Sequence, residues 1–252
     1  MNIVAIIQAR LGSSRLPKKI LKDINNEPLL KYLINRINKS KKINSVIVAT
    51  SNSTSDDELV NWLNIENIKY FRGSENDVLG RFYKCASFIK ADIIVRITAD
   101  DPFKDPSIID QALDIFLDNN NIDYVSNTIK TSYPEGIDIE VFSYSALKIA
   151  NKNALSCYER EHVTPYIIDN DHLFKTKNFL FKDDLSNFRL TVDHPEDLLL
   201  ARKICKYFKN DPYIDFLQIV DFLRKNPKIA EINKDVPNRE YLIKKPGKNK
   251  NE

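Results

Sequence analysis

Residues 3–19 read IVAIIQARLGSSRLPKK, and this stretch decides the predicted fold. Its first part, Ile3–Ile7, is an apolar run of strand length, and a polar segment with several cations follows at once. Short apolar runs bounded by polar or turn residues are typical of buried parallel strands. In a doubly wound sheet, ligands bind at the edge where such strands end. We therefore predict that residues 8–19 lie at a ligand-binding edge.

Similar apolar runs alternate along the chain with segments of helical spacing. Further strands are predicted at Val46–Ala49, Ile93–Ile97 and Tyr124–Val125. Apolar residues with helical spacing lie within residues 29–37, 59–63 and 79–86. Ser55, as a cap followed by acids, and Asp105 with the following proline mark two helix starts. The alternation predicts an α/β fold with a mostly parallel, doubly wound sheet and helices on both faces.

The pattern changes after about residue 127 to short mixed elements. An alternating run lies at Ile137–Phe142, a helical pattern at Glu159–Ile168, and a strand-like run at Phe188–Val192. Two further helices are predicted at Pro195–Tyr207 and Tyr213–Arg224. We predict one domain over residues 1–243, in which about 127–187 form a small insertion that shapes an acceptor pocket. Residues 244–252, rich in Lys and Asn, are predicted to form a flexible basic tail.

Composition excludes several classes of protein. The chain has 252 residues, with 38 Lys and Arg against 35 Asp and Glu, a formal net charge of +3. So small a charge, without aromatic residues interleaved among basic ones, argues against a nucleic-acid-binding module. The first apolar run is too short for a signal peptide, and no segment approaches the roughly 20 apolar residues of a membrane span. Cys85, Cys157 and Cys205 lack the CxxC spacing of a zinc or redox site. We predict a cytoplasmic protein without membrane insertion.

The segment after the first strand is suited to a phosphate chain. Gly12-Ser13-Ser14 bring backbone N–H groups and hydroxyls close to a phosphate. Arg10, Arg15 and Lys19 add charge-assisted donors, and three cations suit a triphosphate. The segment matches neither the GxxxxGK(S/T) phosphate loop nor the GxGxxG dinucleotide fingerprint, so it predicts another scheme of triphosphate binding. From charge alone, an exposed basic loop without a ligand is an equal alternative.

Two carboxylates from distant parts of the chain are candidate magnesium ligands. Asp100 follows the third predicted strand, and Asp193 follows the strand-like run before the helix at Pro195. Mg²⁺ is bound in proteins by one or two carboxylates together with phosphate oxygens and water. A structural alternative is open for each site. At the first site, the alternative to metal binding is that Asp100 or, more readily, Asp101 opens a turn with the following proline. At the second site, the alternative is that Asp193 or His194 caps the next helix.

Together these residues resemble the family that contains the CMP-sugar-acid synthetases and the SpsF-type polysaccharide cytidylyltransferases. The resemblance spans about residues 1–205. Its most specific part, residues 8–19, is similar to the family pattern x-Ala-Arg-x-x-Ser-x-Arg-Leu-Pro-x-Lys. VIVAT (46–50), DDP (100–102) and VDHPEDL (192–198) follow in the expected order. Gln8 replaces the proline usual in sugar-acid synthetases, and Thr98-Ala99-Asp100 replaces the Gln-Gly-Asp of the octulosonate enzymes. Both differences favour the SpsF-like branch.

The resemblance implies a Rossmann-like nucleotidyltransferase fold, with a nucleotide-binding sheet and a dimerising insertion, and hence a homodimer. It also implies that Arg10, Arg15 and Lys19 contact the triphosphate. By the same resemblance, Asp100 and Asp193 hold Mg²⁺.

A second segment, residues 71–81, also looks SpsF-like and occupies the region where related enzymes approach the base and ribose. The predicted nucleotide-binding residues are Ala9, Arg10, Gly12, Ser13, Ser14, Arg15, Lys19, Arg72, Ser74, Asn76 and Asp77. For Ser74 or Asn76, an equal alternative is that the side chain only caps the next helix.

The insertion contributes polar residues that the resemblance assigns to the acceptor pocket. Asp138 and Glu140 share one face of a predicted strand, whereas Glu161 and His162 start or cross a helix. We predict these four residues as acceptor-binding. A lone histidine is more often structural or solvated, so an acid or base role for His162 is left open.

The predicted activity is Mg²⁺-dependent transfer of CMP from CTP to an acidic sugar or similar small acceptor, with release of pyrophosphate, in surface polysaccharide or glycoconjugate biosynthesis. The predicted catalytic residues are Arg10, Arg15, Lys19 and Asp100. No Ser/His/Asp or Cys/His arrangement has a spacing signal, so no covalent intermediate is predicted. Two alternatives are open: a nucleotidyltransferase that uses GTP or another nucleoside triphosphate on a phosphorylated acceptor, and a non-catalytic nucleotide-binding subunit.

Overall fold

A computed structural model describes residues 1–238, apart from residues 25, 120, 210 and 212. Within these residues, seven strands form one sheet: β1 (Ile3–Gln8), β2 (Ser45–Ser51), β3 (Tyr70–Gly73), β4 (Ile93–Thr98), β5 (Tyr124–Ser126), β6 (Glu140–Ser143) and β7 (Thr176–Asn178). The spatial order is β3-β2-β1-β4-β6-β5-β7. Strands β1 to β4 are mutually parallel, and β6 runs antiparallel to both of its neighbours. The predicted mostly parallel, doubly wound α/β fold is confirmed.

The strand order reverses direction at β1. The chain passes from β1 to β2 to β3 on one side, then returns to place β4 on the other side of β1. In open α/β sheets, ligands bind in the crevice outside the carboxyl ends of the strands at such a switch point. The segments that follow β1 and β4 therefore occupy the expected position of a ligand site.

Helices cover both faces of the sheet. Their bounds are α1 (Leu29–Ile37), α2 (Asp57–Ile65), α3 (Val78–Phe88), α4 (Pro106–Leu117), α5 (Tyr144–Asn153), α6 (Cys157–His162), α7 (Pro165–Asp169), α8 (Pro195–Tyr207), α9 (Phe216–Lys225) and α10 (Pro227–Ala230). Side chains alternate along β1, so that Ile3, Ala5 and Ile7 enter one core while Val4 and Ile6 enter the other. Helices α1, α4, α8 and α9 contribute to the first core, and α3 and α5 contribute to the second.

Helix starts follow the capping residues, with one correction. Asp105 accepts a hydrogen bond from the Ser107 backbone N–H and precedes Pro106, as predicted for α4. The predicted cap at Ser55 is wrong, because Ser55 lies inside a 3-10 helix, Thr54–Asp56. Ser53 caps that 3-10 helix, and α2 begins after it at Asp57.

The strand prediction at Phe188–Val192 is wrong. In the described chain this segment makes only an isolated bridge, between Glu135 and Arg189. The Arg189 side chain is buried among the carboxylates of Glu135, Asp193 and Asp197. The alternating run Ile137–Phe142 is a strand only from Glu140 onward. The short strands β3 and β7, which carry few apolar residues, were not predicted.

The helical pattern Glu159–Ile168 is interrupted at Val163. This residue has φ 72° and ψ −55°, and the Thr164 N–H donates to the His162 carbonyl oxygen at 2.9 Å. These values define a γ-turn with positive φ, a strained conformation. It separates α6 from α7, and Pro165 occupies the first turn of α7. The last predicted helix begins at Phe216, three residues later than expected, because Asp215 caps it.

Among the described residues, no helix combines the length and the apolar character needed to cross a membrane. The predicted tail, residues 244–252, lies outside the described residues, so its conformation stays a prediction.

Candidate active site

Three segments converge at the carboxyl ends of β1 and β4. They are the loop after β1, the turn after β4, and the segment before α8. A backbone hydrogen bond of 2.8 Å from the Val192 N–H to the Asp100 carbonyl oxygen joins the last two. This bond brings Asp193, 93 positions later in the chain, to the edge where Asp100 lies. The three segments form the candidate active site.

Lys19 connects the two predicted magnesium ligands. Its Nζ lies 2.6 Å from Asp100 Oδ2 and 2.7 Å from Asp193 Oδ1. Burial alone would lower the pKa of Lys19, but the two carboxylates outweigh burial and raise it. The Lys19 ammonium is therefore held charged, between two anions that would otherwise repel each other.

Further arginines hold Asp193 in place. Arg15 Nη2 lies 2.9 Å from Asp193 Oδ1, and Arg189 Nη2 lies 3.1 Å from Oδ2. Burial would raise the pKa of Asp193, but Lys19, Arg15 and Arg189 together lower it to about 2. The carboxylate is thus ionised under all ordinary conditions and is available to a cationic partner.

Arg189 is the centre of a buried ion network that sequence reasoning missed. Its guanidinium contacts Asp197 at 3.0 Å and Glu135 at 2.8 Å, as well as Asp193. Asp197 in turn accepts the backbone N–H groups of Asp193 and His194, each at 3.0 Å. Asp197 therefore forms a capping box with His194, the N-cap residue of α8, while the Asp193 side chain contacts Lys19. The only sequence signal was an arginine within an apolar run.

The loop after β1 is anchored by Asp56, which was predicted only as a first-turn acid. Asp56 is buried and accepts the Leu11 N–H at 2.7 Å. It also accepts hydrogen bonds from Thr50 and from the Ser51 hydroxyl. The end of β2 thereby fixes the start of the cationic loop.

The predicted phosphate-binding residues differ in exposure. Arg10, Gly12, Ser14 and Arg15 are exposed. Ser13 is half-buried, and its hydroxyl accepts the Leu16 N–H at 3.3 Å. Ala9 is buried, and its N–H donates to the Ala49 carbonyl oxygen at 3.2 Å. Nucleotide binding by the residues of this loop, Ala9 included, stays a prediction.

The two adjacent aspartates after β4 lie in different surroundings. Asp100 faces Lys19. Asp101 is buried, accepts the Thr98 hydroxyl at 2.5 Å and pairs with Lys104 at 2.8 Å. Asp101 therefore stabilises the turn, and Asp100 is left for the site.

The segment after β3 is held mainly by contacts within the protein. Arg72 donates to the carbonyl oxygens of Ser51 and Ser53 at 2.9 and 2.8 Å. Asp77 caps α3 by accepting the Gly80 N–H at 2.9 Å, and it pairs with Arg160 at 2.6 Å. Ser74 and Asn76 are exposed, and neither is the cap residue of α3. Base recognition by these residues stays a prediction.

The predicted acceptor residues are only partly brought together. Glu140 is buried, pairs with Arg96, and accepts the hydroxyls of Tyr124 at 2.8 Å and Thr164 at 2.5 Å. Burial would raise the pKa of Glu140, but Arg96 and the two hydroxyls lower it. Asp138 precedes β6, so the prediction that it shares a strand face with Glu140 is wrong.

The other two predicted acceptor residues lie on α6. Glu161 is exposed. The His162 ring lies 4.6 Å from the Tyr158 ring, centre to centre. Thr164, which follows the γ-turn, is the residue that connects this region to Glu140.

Two carboxylates of the site are candidate ligands for a divalent cation. Within residues 1–238, outside the gaps, no cluster of three or more His, Cys, Asp or Glu is arranged to hold a metal ion. Asp100 and Asp193 nevertheless lie close together, because both contact Lys19 Nζ. Two carboxylates are enough for Mg²⁺ when phosphate oxygens and water supply its other ligands. Asp100 and Asp193 therefore fit a magnesium ion that binds together with a polyphosphate.

Sequence comparison identifies relatives along nearly the whole chain. A family model described as Cytidylyltransferase matches residues 4–236. An uncharacterized protein of Methanocaldococcus jannaschii is 42% identical over 246 residues, which cover 96% of this chain and 98% of that protein. The spore coat polysaccharide biosynthesis protein SpsF of Bacillus subtilis is 33% identical over 237 residues, 91% of this chain and 97% of that protein.

Solved structures agree with these matches. A cytidylyltransferase from Leptospira borgpetersenii superposes with a TM-score of 0.87 at 33% identity, covering 91% of this chain and 97% of that chain. A CMP:2-keto-3-deoxy-manno-octonic acid synthetase complexed with CTP superposes with a TM-score of 0.65 at 17% identity, covering 82% and 100%. The second likeness shows a shared fold only.

Proposed function

We propose that this chain, which belongs to the cytidylyltransferase family, transfers CMP from CTP to an acidic sugar or a similar small acceptor and releases pyrophosphate. Members of this family are nucleotidyltransferases, and the chain is therefore an enzyme of that class. The observation that carries the proposal is the contact of Lys19 with both Asp100 and Asp193 at the switch point of the sheet. The SpsF name of one relative supports a role in surface polysaccharide or glycoconjugate biosynthesis.

In this proposal, Asp100 and Asp193 hold Mg²⁺. The ion, when bound, neutralises negative charge on the triphosphate and fixes its orientation. Lys19 already pairs with both carboxylates, so its ammonium is close enough to contact a phosphate oxygen that binds beside them.

The cationic loop after β1 binds the phosphate chain. Arg10, Arg15 and Lys19 surround its path with charge-assisted donors, and these donors neutralise the charge that grows on the leaving pyrophosphate. Because Asp56 fixes the loop at Leu11, the donors are positioned before the substrate arrives. Preorganised donors of this kind supply much of the acceleration in phosphoryl chemistry.

An acceptor oxygen attacks the α-phosphorus in line, and pyrophosphate leaves on the opposite side. The chemistry needs no covalent intermediate, and positioning with electrostatic stabilisation is sufficient. Asp138, Glu161 and His162 are proposed to contact the acceptor. We propose that Glu140, which is already engaged with Arg96, supports the wall of that pocket.

The test is release of pyrophosphate from CTP, GTP, ATP and UTP with Mg²⁺, across a panel of sugar acids, sugar phosphates and phosphonates. Acceptor-dependent release from CTP alone would support the proposal and identify the acceptor class. Pyrophosphate release from GTP or another nucleotide with a phosphorylated acceptor would show that the substrate is that nucleotide and not CTP. Tight CTP binding with no turnover on the whole panel would favour a non-catalytic subunit. The predicted homodimer is measured separately, by light scattering.

A further inference from the structure

Arg81 on α3 is a buried cation, and two of its three side-chain nitrogens have no hydrogen-bond partner within the described residues. Only 1% of the surface of Arg81 is exposed to solvent. Three buried side-chain nitrogen or oxygen atoms in the described part of the chain lack a hydrogen-bond partner, and two of them are Arg81 Nε and Nη2. A buried polar group without a partner is costly, by about 1–3 kcal/mol and more for a charged group. Such an atom requires an explanation, and a ligand is one.

The protein positions this guanidinium by its other side. Nη1 donates to the carbonyl oxygens of Ser74 and Glu75. Gly73 makes room for the side chain, because a Cβ there would lie 2.8 Å from Arg81 Cγ. The side chain is thus fixed by Nη1 while the opposite edge, Nε with Nη2, has no partner within the described residues.

Arg81 lies within electrostatic reach of the cationic loop of the candidate site. After burial, the charge of Arg10 on that loop is the main factor that lowers the pKa of Arg81. Arg81 follows β3, on the opposite side of β1 from β4 and Asp100. We therefore infer that a ligand group that reaches Arg81 is a different part of the nucleotide from the phosphates that bind beside Asp100 and Asp193.

The surrounding charges favour a neutral ligand group over a phosphate. Asp56, Glu75 and Asp77 are close enough to influence the Arg81 charge, in the direction of keeping it protonated. Three carboxylates around one guanidinium would repel an additional phosphate. A neutral base edge with two adjacent acceptor atoms would satisfy Nε–H and Nη2–H without that cost.

We propose that Arg81 recognises the base of the bound nucleotide by donating Nε–H and Nη2–H to two adjacent acceptor atoms, which in cytosine are O2 and N3. This inference rests on the proposed function and adds a residue that determines base specificity. Uracil carries a proton on N3 and so lacks that pair of acceptors. Arginine forms such paired bonds to adjacent base acceptors elsewhere, as with guanine O6 and N7, with a discrimination of about 10- to 100-fold.

The experiment compares the wild-type chain with Arg81→Lys, which keeps the charge and loses the planar fork. Arg36→Lys is the matched control. Arg36 is also fully buried, but its donors go to the carbonyl oxygens of Phe103, Lys104 and Ile214. Calorimetry gives the affinity of each chain for CTP, UTP, GTP and tripolyphosphate, and thermal melting gives its stability.

We expect Arg81→Lys to weaken CTP binding by about 10- to 100-fold, to bring CTP and UTP to similar affinity, and to leave tripolyphosphate binding unchanged. Arg36→Lys should lower the melting temperature while keeping the preference for CTP. If Arg81→Lys weakens the binding of CTP and of tripolyphosphate equally, Arg81 Nε and Nη2 contact phosphate oxygens, and the assignment to the base is wrong. CTP binding within twofold of wild type would overturn the inference altogether.

The proposed function is tested separately by the wild-type chain. If wild type binds CTP no better than the other nucleotides, the choice of CTP fails before any variant is considered. If wild type prefers CTP and Arg81→Lys keeps that preference, the inference fails alone.

Discussion

Lys19 and Asp193 are separated by 174 positions in the sequence, yet Lys19 Nζ lies 2.7 Å from Asp193 Oδ1. The same nitrogen lies 2.6 Å from Asp100 Oδ2. One ammonium therefore offsets the repulsion between two carboxylates that meet at a sheet edge. In the proposed function, the two carboxylates would hold the magnesium ion and the ammonium would contact the phosphate.

Asp100→Asn should lower turnover by orders of magnitude and change the free energy of unfolding by no more than about 1 kcal/mol, because its ion pair is partly exposed. Steady-state pyrophosphate release and urea unfolding measure the two effects. The adjacent Asp101→Asn is the contrasting variant. Asp101 is buried against Thr98 and Lys104, so its main loss should be stability. Near-normal turnover in Asp100→Asn would remove this residue from the chemistry.

Arg189→Ala should destabilise the fold by about 3–5 kcal/mol, since it leaves Asp197 and Glu135 buried without their cation. It should also raise the magnesium concentration needed for half-maximal activity, because Asp193 loses one of the groups that hold it. Arg202→Ala on α8 is the control. Arg202 is exposed and donates to the Asp23 carbonyl oxygen, so both measurements should stay close to wild type. If Arg189→Ala folds and its magnesium requirement is unchanged, Arg189 does not position Asp193 for the metal.

Glu140→Gln should cost about 3–5 kcal/mol at neutral pH, because it leaves the buried Arg96 without its partner. The pKa of Glu140 is lowered in the folded chain, so its contribution is complete above the ordinary glutamate pKa of about 4.3. That contribution is lost as the pH falls through the lower folded value. The difference in unfolding free energy between wild type and the variant should be constant from pH 7 to about 5 and shrink below about 4. A difference that stays constant from pH 7 down to pH 3 would show that folding does not lower the pKa of Glu140.

One thiol of the native chain should react with an aromatic disulfide reagent at pH 8. Cys157 is exposed, whereas Cys85 and Cys205 are buried, and burial raises the pKa of both thiols to about 12. Cys157→Ser should therefore react at no thiol when native and at two in denaturant. Rapid reaction at a second native thiol would indicate local opening of one of the cores.

Local sequence patterns predicted the elements whose determinants are local. Strand β1 is an uninterrupted apolar run, and α8 begins at a proline followed by two acids, so their positions could be predicted from the sequence. Asp100 and Asp193 were predicted to converge, and both contact Lys19. Their role as metal ligands stays a prediction, as do the catalytic and nucleotide-binding roles of the loop after β1.

Contacts between distant segments were beyond local patterns. Arg189 was expected to lie in a strand because its neighbours are apolar. In the structure its guanidinium is buried and pairs with Glu135, Asp193 and Asp197. Asp56 gave only a helix-start signal, although it fixes the loop after β1. Arg81 ends the SpsF-like segment of residues 71–81, but it was not among the residues predicted to bind the nucleotide. In each case the decisive fact is which partner the fold brings close, and a single sequence does not carry it.

The γ-turn at Val163 determines when the side chains of Val163 and Thr164 lose their conformational entropy. Its backbone strain costs about 1–3 kcal/mol, and the buried side chain of Val163 helps to hold it in place. Immediately after it, the Thr164 hydroxyl is fixed on Glu140 at 2.5 Å. The rotational freedom of both side chains is therefore given up once, when the chain folds, and does not have to be lost again at every catalytic cycle.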